Sequence, residues 1–287
     1  MFASLAGVLF DGFAYGMLLF LLSVGLSVTL GMMNFVNLAH CSFAMVGGYV
    51  TVSLMNSYGW PFFATLPLAF LAAAAVSLVL ERTLYRRLYR ASDLDQCLFT
   101  IGIVFISIAV YAWFYGPVVQ STRMPGYLRQ SLEFMGMRFA TYRLFLIAMG
   151  LVTALALIVL LETTRFGAQV RAAVDNQRMA RGLGIDVDRA FMITFALGGG
   201  LAGLGGALAI EAVGLDHAFA LNYLVYVLIV VAVGGLGSIG GSFAAAVVLG
   251  ISDMAGKYYF PWLGAFLIYL VMIALLMWRP VGLFGKR

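Results

Sequence analysis

Long apolar runs separated by short polar stretches dominate this chain. Because a helix needs about 20 mostly apolar residues to cross the hydrocarbon core of a bilayer, the pattern predicts an all-α protein. The expected fold is a polytopic transmembrane helical bundle of about eight or nine membrane segments, forming a single domain over residues 1–287. The apolar runs are Val8–Leu30, Phe35–Met55, Phe62–Leu80, Leu98–Tyr115, Tyr142–Leu161, Ala190–Ala212, the shorter Tyr223–Val233 and Ser242–Met254, and Trp262–Trp278.

Two stretches of small and polar residues interrupt this pattern, one in each half of the chain. Gly234–Gly241 reads Gly-Gly-Leu-Gly-Ser-Ile-Gly-Gly, and Gly31–His40 is a weaker counterpart. Non-helical backbone at membrane depth is tolerated only where protein or a water-filled cavity covers it. We therefore expect broken or re-entrant elements here, as in internally repeated transporters whose path lies at the repeat interface.

The composition excludes a soluble domain. Hydrophobic residues make up 63% of the chain and charged residues only 10%, against about a quarter charged in soluble domains. Cys41 and Cys97 lie in apolar stretches and fit neither a disulfide framework nor a metal site. The chain also lacks the Gly-x-x-x-x-Gly-Lys-Ser/Thr phosphate loop. We therefore expect no cofactor, metal or nucleic acid to bind this chain.

Basic residues concentrate in three connections, residues 82–90, 162–189 and 279–287. Cytoplasmic loops of membrane proteins carry an excess of Lys and Arg, and alternate crossings put these three connections on one side. The pattern therefore predicts that they face the cytoplasm. No basic residue flanks the first two apolar runs, so the side of the N-terminus stays open.

The connection 162–189 has the composition of a surface helix. Ala168–Arg181 is good helix-forming sequence, in which Arg171 and Arg178 are spaced to pair with Asp175. The sequence predicts one short cytoplasmic helix, followed by a glycine-containing turn, that a cytoplasmic partner can grip. A solvated charged loop is the alternative. The predicted coupling residues are Arg171, Asp175, Arg178, Ala180, Leu183 and Gly184.

Small residues recur at four-residue spacing in the second half of the chain. In lipid, such spacing lets helix backbones approach closely. Packing within the chain is the favoured interpretation, and a subunit interface is the alternative. The predicted packing residues are Gly199, Gly203, Gly206, Gly237 and Gly241.

Polar residues within the apolar runs are functional candidates, because burying them in a bilayer costs free energy. Asn34, Asn37 and Cys41 have the i, i+3, i+7 spacing of one helical face. His40 and Ser42 lie beside that face in the sequence. They are expected either to line a translocation path or to form a hydrogen-bonded cluster that ties helices together. The predicted pathway residues are Asn34, Asn37, His40, Cys41, Ser42 and the weaker Thr194 and Ser238. Glu211, Asp216 and His217, near an outer helix end, either receive a binding protein or only solvate that end.

Four blocks resemble the permeases of branched-chain amino acid (LivH/LivM-like) ABC importers, in the expected order along nearly the whole chain. Two departures are Cys41, where the family usually has Gly, and the arginines of the predicted outer loop, Arg123, Arg129 and Arg138. The matching blocks are Gly31–Val50, the coupling stretch with Thr164-Arg165-Phe166-Gly167, Arg171-Ala172, Asp175, Ala180 and Leu183-Gly184-Ile185, the turn Gly234–Gly241, and Arg279–Gly285.

This resemblance implies a permease subunit of a binding-protein-dependent importer in a bacterial inner membrane. It implies four partners: a second homologous permease, two cytoplasmic ATPase subunits that use ATP, and a periplasmic binding protein. It leaves open whether the permeases form a homodimer or a heterodimer. The implied cargo is a branched-chain amino acid, with urea, short amides and aromatic acids as alternatives within the same family.

Two other classes of protein fit the residues less well. An ion-coupled secondary transporter normally uses membrane-embedded carboxylates, whereas Asp11, Glu211 and Asp253 lie near segment ends. An intramembrane enzyme needs a catalytic constellation. The chain has no His-Glu-x-x-His motif and no convincing nucleophile–base pair, and His40 and His217 are its only histidines. We expect a transport subunit without catalytic residues.

Overall fold

A computed structural model describes residues 2–33, 35–89, 91–134 and 137–285. The chain forms long helices joined by short connections, with two short helices in the connection predicted to be cytoplasmic. Helix α3 continues through a π-helical turn, Glu81–Tyr85, to Leu88, and α6 ends in a second π-helical turn, Val159–Thr163. The helices are α1 Phe2–Met33, α2 His40–Tyr58, α3 Phe62–Leu80, α4 Asp93–Tyr115, α5 Gly126–Arg129, α6 Thr141–Ile158, α7 Arg165–Asp175, α8 Gln177–Gly182, α9 Val187–Val213, α10 Phe219–Gly234, α11 Ile239–Tyr259 and α12 Gly264–Trp278.

Every predicted apolar run coincides with one helix of the structure. Within the part of the chain that the structure describes, six helices are long and apolar enough to cross a bilayer, and α10 and α12 are shorter apolar helices. The polytopic helical fold predicted from the sequence is therefore confirmed. The six are Ser4–Gly31, Phe62–Leu88, Asp93–Tyr115, Thr141–Thr163, Val187–Val213 and Ile239–Tyr259.

Helices α1 and α9 form the centre of the bundle. In the apolar window of α1, 89% of the residues are buried inside the protein, against 11% in that of α4. Helix α1 packs against α9 and α11, and α9 packs against α2 and α3. Helix α4 exposes large apolar side chains such as Trp113 and Phe114. This distribution is typical of a membrane bundle whose outer helices face lipid, because a bilayer solvates apolar side chains.

The three basic connections meet at one end of the bundle, which we call the Arg-rich end. There Asp188, at the start of α9, pairs with Arg86 after α3 and with Arg181 in α8. At the other end, called the distal end, Asp11 of α1 pairs with Arg143 of α6. The alternation of ends inferred from the apolar runs therefore agrees with the fold.

The glycine turn after α10 lies at the Arg-rich end and is covered by the tail of the chain. Gly235 and Gly237 have φ angles of +95° and +77°, which favour glycine. The backbone N–H of Leu283 donates to Val233 O at 2.7 Å, and that of Phe284 donates to Gly234 O at 3.2 Å. These contacts satisfy carbonyl groups that the end of α10 leaves free.

The distal end contains a β-hairpin that the sequence analysis did not predict. Strand β1, Ser131–Phe134, pairs antiparallel with β2, Met137–Ala140. Glu133 lies opposite Arg138, and their side chains form an ion pair at 2.6 Å. Opposite charges facing each other across two strands stabilise such a pair. The hairpin belongs to a connection, so the helical bundle is unchanged.

Candidate functional site

Residues 35–39, which precede α2, are not helical, and side chains from α4 form hydrogen bonds with their backbone. Gln96 Oε1 accepts a hydrogen bond from the N–H of Val36 at 3.0 Å, and Thr100 Oγ1 accepts one from Leu38 at 3.2 Å. Gln96 Nε2 also donates to the carbonyl oxygen of Leu88 at 3.2 Å. Buried backbone groups need such partners where water is absent. Helix α4 therefore stabilises the non-helical backbone of residues 35–39, which we call the break.

The predicted single helical face through Asn34, Asn37 and Cys41 is wrong. Helix α2 begins only at His40, and Asn37 precedes it in a turn. Asn37 Oδ1 accepts a hydrogen bond from the N–H of Ala39 at 3.1 Å, a local bond that competes with helix formation. Asn34 lies outside the described residues.

The first residues of α2 are buried where α1, α2 and α9 meet. The His40 ring is hydrogen-bonded to the backbone of Leu22 and stands edge-on to Phe43, with 6.3 Å between ring centroids. Ser42 Oγ lies 2.8 Å from Ser107 Oγ of α4. Cys41 is buried with a free thiol. These residues connect α2 to its neighbours.

Several polar atoms in this region have no hydrogen-bond partner among the residues the structure describes. They are Asn37 Nδ2, His40 Nε2 and Thr194 Oγ1, each on a residue that is about 1% exposed. We call Asn37, His40 and Thr194 the polar seam. A buried polar group without a partner is costly, so these atoms are suited to water or to a passing solute.

Ser238 lies apart from the polar seam. It is the N-cap of α11 at the glycine turn, and its Oγ accepts a hydrogen bond from the N–H of Gly241 at 3.0 Å. Serine is a preferred N-cap residue because it satisfies a free N–H in the first helical turn. The observed contact of Ser238 is therefore a structural one.

Polar residues of α4 contribute to the site although sequence reasoning missed them. Gln96, Thr100 and Ser107 are spaced i, i+4 and i+11, which places them on one face of an otherwise apolar helix. The predicted run began at Leu98 and so excluded Gln96. The helix begins at Asp93 because the Ser92 hydroxyl caps it, accepting from the N–H of Asp95 at 3.2 Å.

Aromatic rings close the Arg-rich side of the break. The Phe35 ring lies 5.3 Å from that of Tyr85 and 5.5 Å from that of Tyr89. The Tyr89 hydroxyl donates to Glu81 Oε1 at 2.8 Å. Burial, and then the nearby Glu81 carboxylate, raise the pKa of the Tyr89 phenol well above its ordinary value. The phenol therefore stays a neutral donor that holds the end of α3.

The connection predicted to hold one helix contains two. Helix α7 ends at Asp175 and α8 begins at Gln177, with Asn176 between them at φ −155° and ψ 96°. Asn176 Oδ1 accepts a hydrogen bond from the N–H of Met179 at 3.0 Å. Asparagine is a strong N-cap, and here it starts a second helix. The expectation of an unbroken helix over Ala168–Arg181 is therefore wrong.

The predicted pairing of Asp175 with Arg171 and Arg178 is also wrong. The Arg171 guanidinium donates to the carbonyl oxygen of Leu161 instead. Asp175 forms no ion pair with any residue that the structure describes, and Arg178 is exposed. Arg171 thus fixes α7 to the end of α6, which leaves Asp175 on the surface.

Helix α8 is attached by one face and exposes another. Ala180 is buried in a small cluster with Ala173, Val187 and Phe191, against which Met33 of α1 packs. The exposed fractions of Met179 and Leu183 are 65% and 78%. Gly184, with φ +82° and open space around it, requires glycine for its conformation. We call α7, α8 and residues 183–185 the coupling surface.

The predicted packing glycines each face another part of this chain. A Cβ at Gly206 would overlap the carbonyl oxygen of Ala44 in α2, and one at Gly203 would overlap the side chain of Ala73 in α3. The others meet Ser77 (Gly199), Gly31 (Gly237) and Gly234 (Gly241). Their observed contacts are therefore intramolecular.

The fold and the site together define a multi-pass helical membrane protein with a buried polar seam and a charged surface attached to its core. Among the described residues, no three His, Cys, Asp or Glu side chains are grouped as metal ligands. Residues 8–276 match the family model described as "Branched-chain amino acid transport system / permease component". The chain belongs to this family of transport permeases.

Curated relatives cover nearly the whole chain. It is 29% identical to the "Probable branched-chain amino acid transport permease protein LivH" of Methanocaldococcus jannaschii, over 94% of this chain and 90% of the relative. It is 23% identical to LivH of Escherichia coli K12, over 97% and 94%. It is 26% identical to LivM of that organism, over 93% and 68%. No solved structure matches the chain.

Proposed function

We propose that this chain, in a bacterial inner membrane, forms half of the translocation path of a binding-protein-dependent ABC importer for branched-chain amino acids. Its partners would be a second homologous permease, two cytoplasmic ATPase subunits and a periplasmic binding protein. The names of its relatives, which describe branched-chain amino acid transport permeases, support this cargo.

The coupling surface is the observation that carries the proposal. Met179 and Leu183 are exposed beside charged residues at the Arg-rich end, outside the apolar spans. Exposed apolar side chains rimmed by polar ones mark protein interaction sites. The positive-inside rule assigns this end to the cytoplasm, where an ATPase subunit could grip it. The chain has no phosphate loop of its own.

Contacts from the coupling surface lead to the helices that surround the polar seam. Ala180 packs in the cluster that includes Phe191 of α9 and touches Met33 of α1. Arg86 links α3 to Asp188 at the start of α9. Because packed interiors move as rigid units rather than deforming continuously, a displacement of α8 would tilt α1, α3 and α9 together. Closure of the ATPase subunits would thereby alternate access to the path.

The polar seam is the segment of path that this chain would contribute. Its unpartnered atoms, on Asn37, His40 and Thr194, offer donors and acceptors deep in the bundle. Polar groups of this kind can replace part of the hydration of a solute that crosses the membrane. The partner permease would supply the opposite wall.

Ion-coupled transport has one observation in its favour. Asp253 is fully buried in α11, and its Oδ1 has no partner among the described residues. Its other oxygen, however, lies 2.6 Å from Lys257 Nζ. A carboxylate already paired with an ammonium is neutralised, which leaves no net negative charge for a coupling cation. This favours transport driven by ATP.

Leucine uptake by the reconstituted importer tests the proposal. ATP with loaded binding protein should drive leucine uptake into proteoliposomes, and an ion gradient without ATP should not. Leu183→Asp should reduce both uptake and stimulated ATP hydrolysis on the order of tenfold, because it places a charge in an apolar contact. Leu132→Asp, at an exposed leucine of the distal hairpin, is the matched control. Uptake driven by an ion gradient alone would refute the importer.

A further inference from the structure

A cavity at the distal end is lined by groups suited to a small cation. It has a volume of about 410 Å³ and lies between α10, α12 and the connection before α10. The side chains relevant here belong to Asp216, Asn222, Tyr223, Tyr226 and Tyr269. None of these side chains belongs to the polar seam or to the coupling surface.

The wall of the cavity is a continuous row of aromatic rings. Phe219 stacks on Tyr223 with 4.4 Å between ring centroids, and Tyr223 lies 5.9 Å from Tyr226. Tyr226 lies 6.3 Å from Tyr269 of α12 and is hydrogen-bonded to it. The faces of aromatic rings carry partial negative charge and attract ammonium groups. Such a row of ring faces attracts a cation.

Asp216 adds a full negative charge that the fold does not neutralise. Within the part of the chain that the structure describes, no Lys, Arg or His forms an ion pair with it. Three cations of the distal end are paired with other carboxylates: Arg138 with Glu133, Arg143 with Asp11, and Lys257 with Asp253. Two more, Arg123 and Arg129, line a separate pocket. The carboxylate of Asp216 is therefore available to a ligand.

We propose that this tyrosine cavity binds the primary ammonium group of the transported solute, with Asp216 as its counter-ion and the tyrosine rings as its wall. The inference rests on the proposed transport function and assigns a site that recognises its cargo. Branched-chain amino acids carry such an ammonium group, whereas urea, short amides and aromatic acids do not. The cavity would thus admit zwitterionic amino acids and favour them over amine-free solutes.

Thiol modification tests the cation preference without transport. Asn222→Cys, in the full chain with Cys41→Ala and Cys97→Ala, would react with a trimethylammonium or a sulfonate methanethiosulfonate. We expect the ratio of the two rates to exceed that at a Leu132→Cys control on the order of tenfold, because of the charge of Asp216. Asp216→Asn should reduce it to the control value, and Asp216→Glu should restore it. A ratio that equals the control, or that survives Asp216→Asn, overturns the proposal.

Transport in the reconstituted complex tests the cargo. At saturating loaded binding protein, Asp216→Asn should lower leucine uptake on the order of tenfold, and Asp216→Glu should retain most of it. Glu133→Gln removes a distal carboxylate outside the cavity and should have no effect. Unchanged leucine uptake in Asp216→Asn overturns the role in transport. If the cavity prefers cations but the complex does not transport leucine, the cation site is supported and the proposed cargo is refuted.

Discussion

Gly206 illustrates how closely the central helices approach one another. A Cβ at this position would overlap the backbone of Ala44, so no rotamer can relieve the clash. We expect Gly206→Val to push α9 away from α2 and to lower the free energy of unfolding by about 1–3 kcal/mol or more. The melting temperature of the detergent-purified chain measures this effect. Gly102→Val is the control, because a Cβ at this helical glycine would have no other atom within 4 Å, and its melting temperature should equal that of the parent. Equal melting temperatures for Gly206→Val and Gly102→Val would contradict this packing.

Gln96 is the residue whose loss should most affect the break between α1 and α2. Gln96→Leu removes the acceptor for the N–H of Val36 and the donor to Leu88. Each buried group left unsatisfied costs about 1–3 kcal/mol. We expect a lower melting temperature and faster hydrogen exchange at residues 35–39. Gln130→Leu, at an exposed position, is the matched control. Unchanged exchange at residues 35–39 would show that α4 does not hold the break.

The seam residues were predictable as residue types but not in their contacts. Asn37 and His40 were singled out because polar groups within apolar runs are costly. The partners of this stretch are Gln96 and Thr100, some 60 positions away in sequence. Such pairings depend on how helices assemble, which no local pattern encodes. The same reason explains why Arg181 was not matched with Asp188 and why Asp175 was assigned partners it lacks.

At the scale of elements, the break at Asn176 determines the shape of the coupling surface. Asn176→Ala removes the cap of α8, at a typical cost of 0.5–2 kcal/mol. We expect faster hydrogen exchange at residues 177–182 and weaker stimulation of the ATPases by the permease. Asn176→Asp keeps the side-chain acceptor and should preserve both. An alanine variant with unchanged exchange would show that the cap does not define α8.

The presence and order of the apolar helices followed from the hydrophobic pattern, whereas their ends followed from caps and tertiary contacts. Apolar runs predict spans well because lipid requires every backbone group to be satisfied internally. Helix α2 starts later than the run at Phe35, because the Asn37 side chain accepts a hydrogen bond from the N–H of Ala39. Helix α4 starts earlier than the run at Leu98, because Ser92 caps it. Both shifts come from polar side chains that a hydrophobicity pattern does not weigh.

At the scale of the whole molecule, the proposed function assigns different roles to the Arg-rich end and the distal end of the bundle. The coupling surface lies at the Arg-rich end and the tyrosine cavity at the distal end, and α9 runs between the two ends. Helix α9 carries Asp188 in its first turn, where it pairs with Arg86 after α3 and Arg181 in α8, and it ends at Val213, which lines the cavity. Signals between the ATPase side and the solute side would therefore pass along one buried helix.

The proposed function predicts the orientation of the chain in the membrane, which can be measured directly. Single cysteines at Arg178 and Leu132, both exposed, report on the Arg-rich and distal ends in a Cys41→Ala, Cys97→Ala background. We expect a membrane-impermeant thiol reagent added to intact spheroplasts to label Leu132→Cys and to spare Arg178→Cys, because arginine-rich connections stay in the cytoplasm. Inverted vesicles should reverse the two results. Labelling of Arg178→Cys from outside would place the coupling surface beyond the reach of any cytoplasmic ATPase, and the importer mechanism would then have to be abandoned.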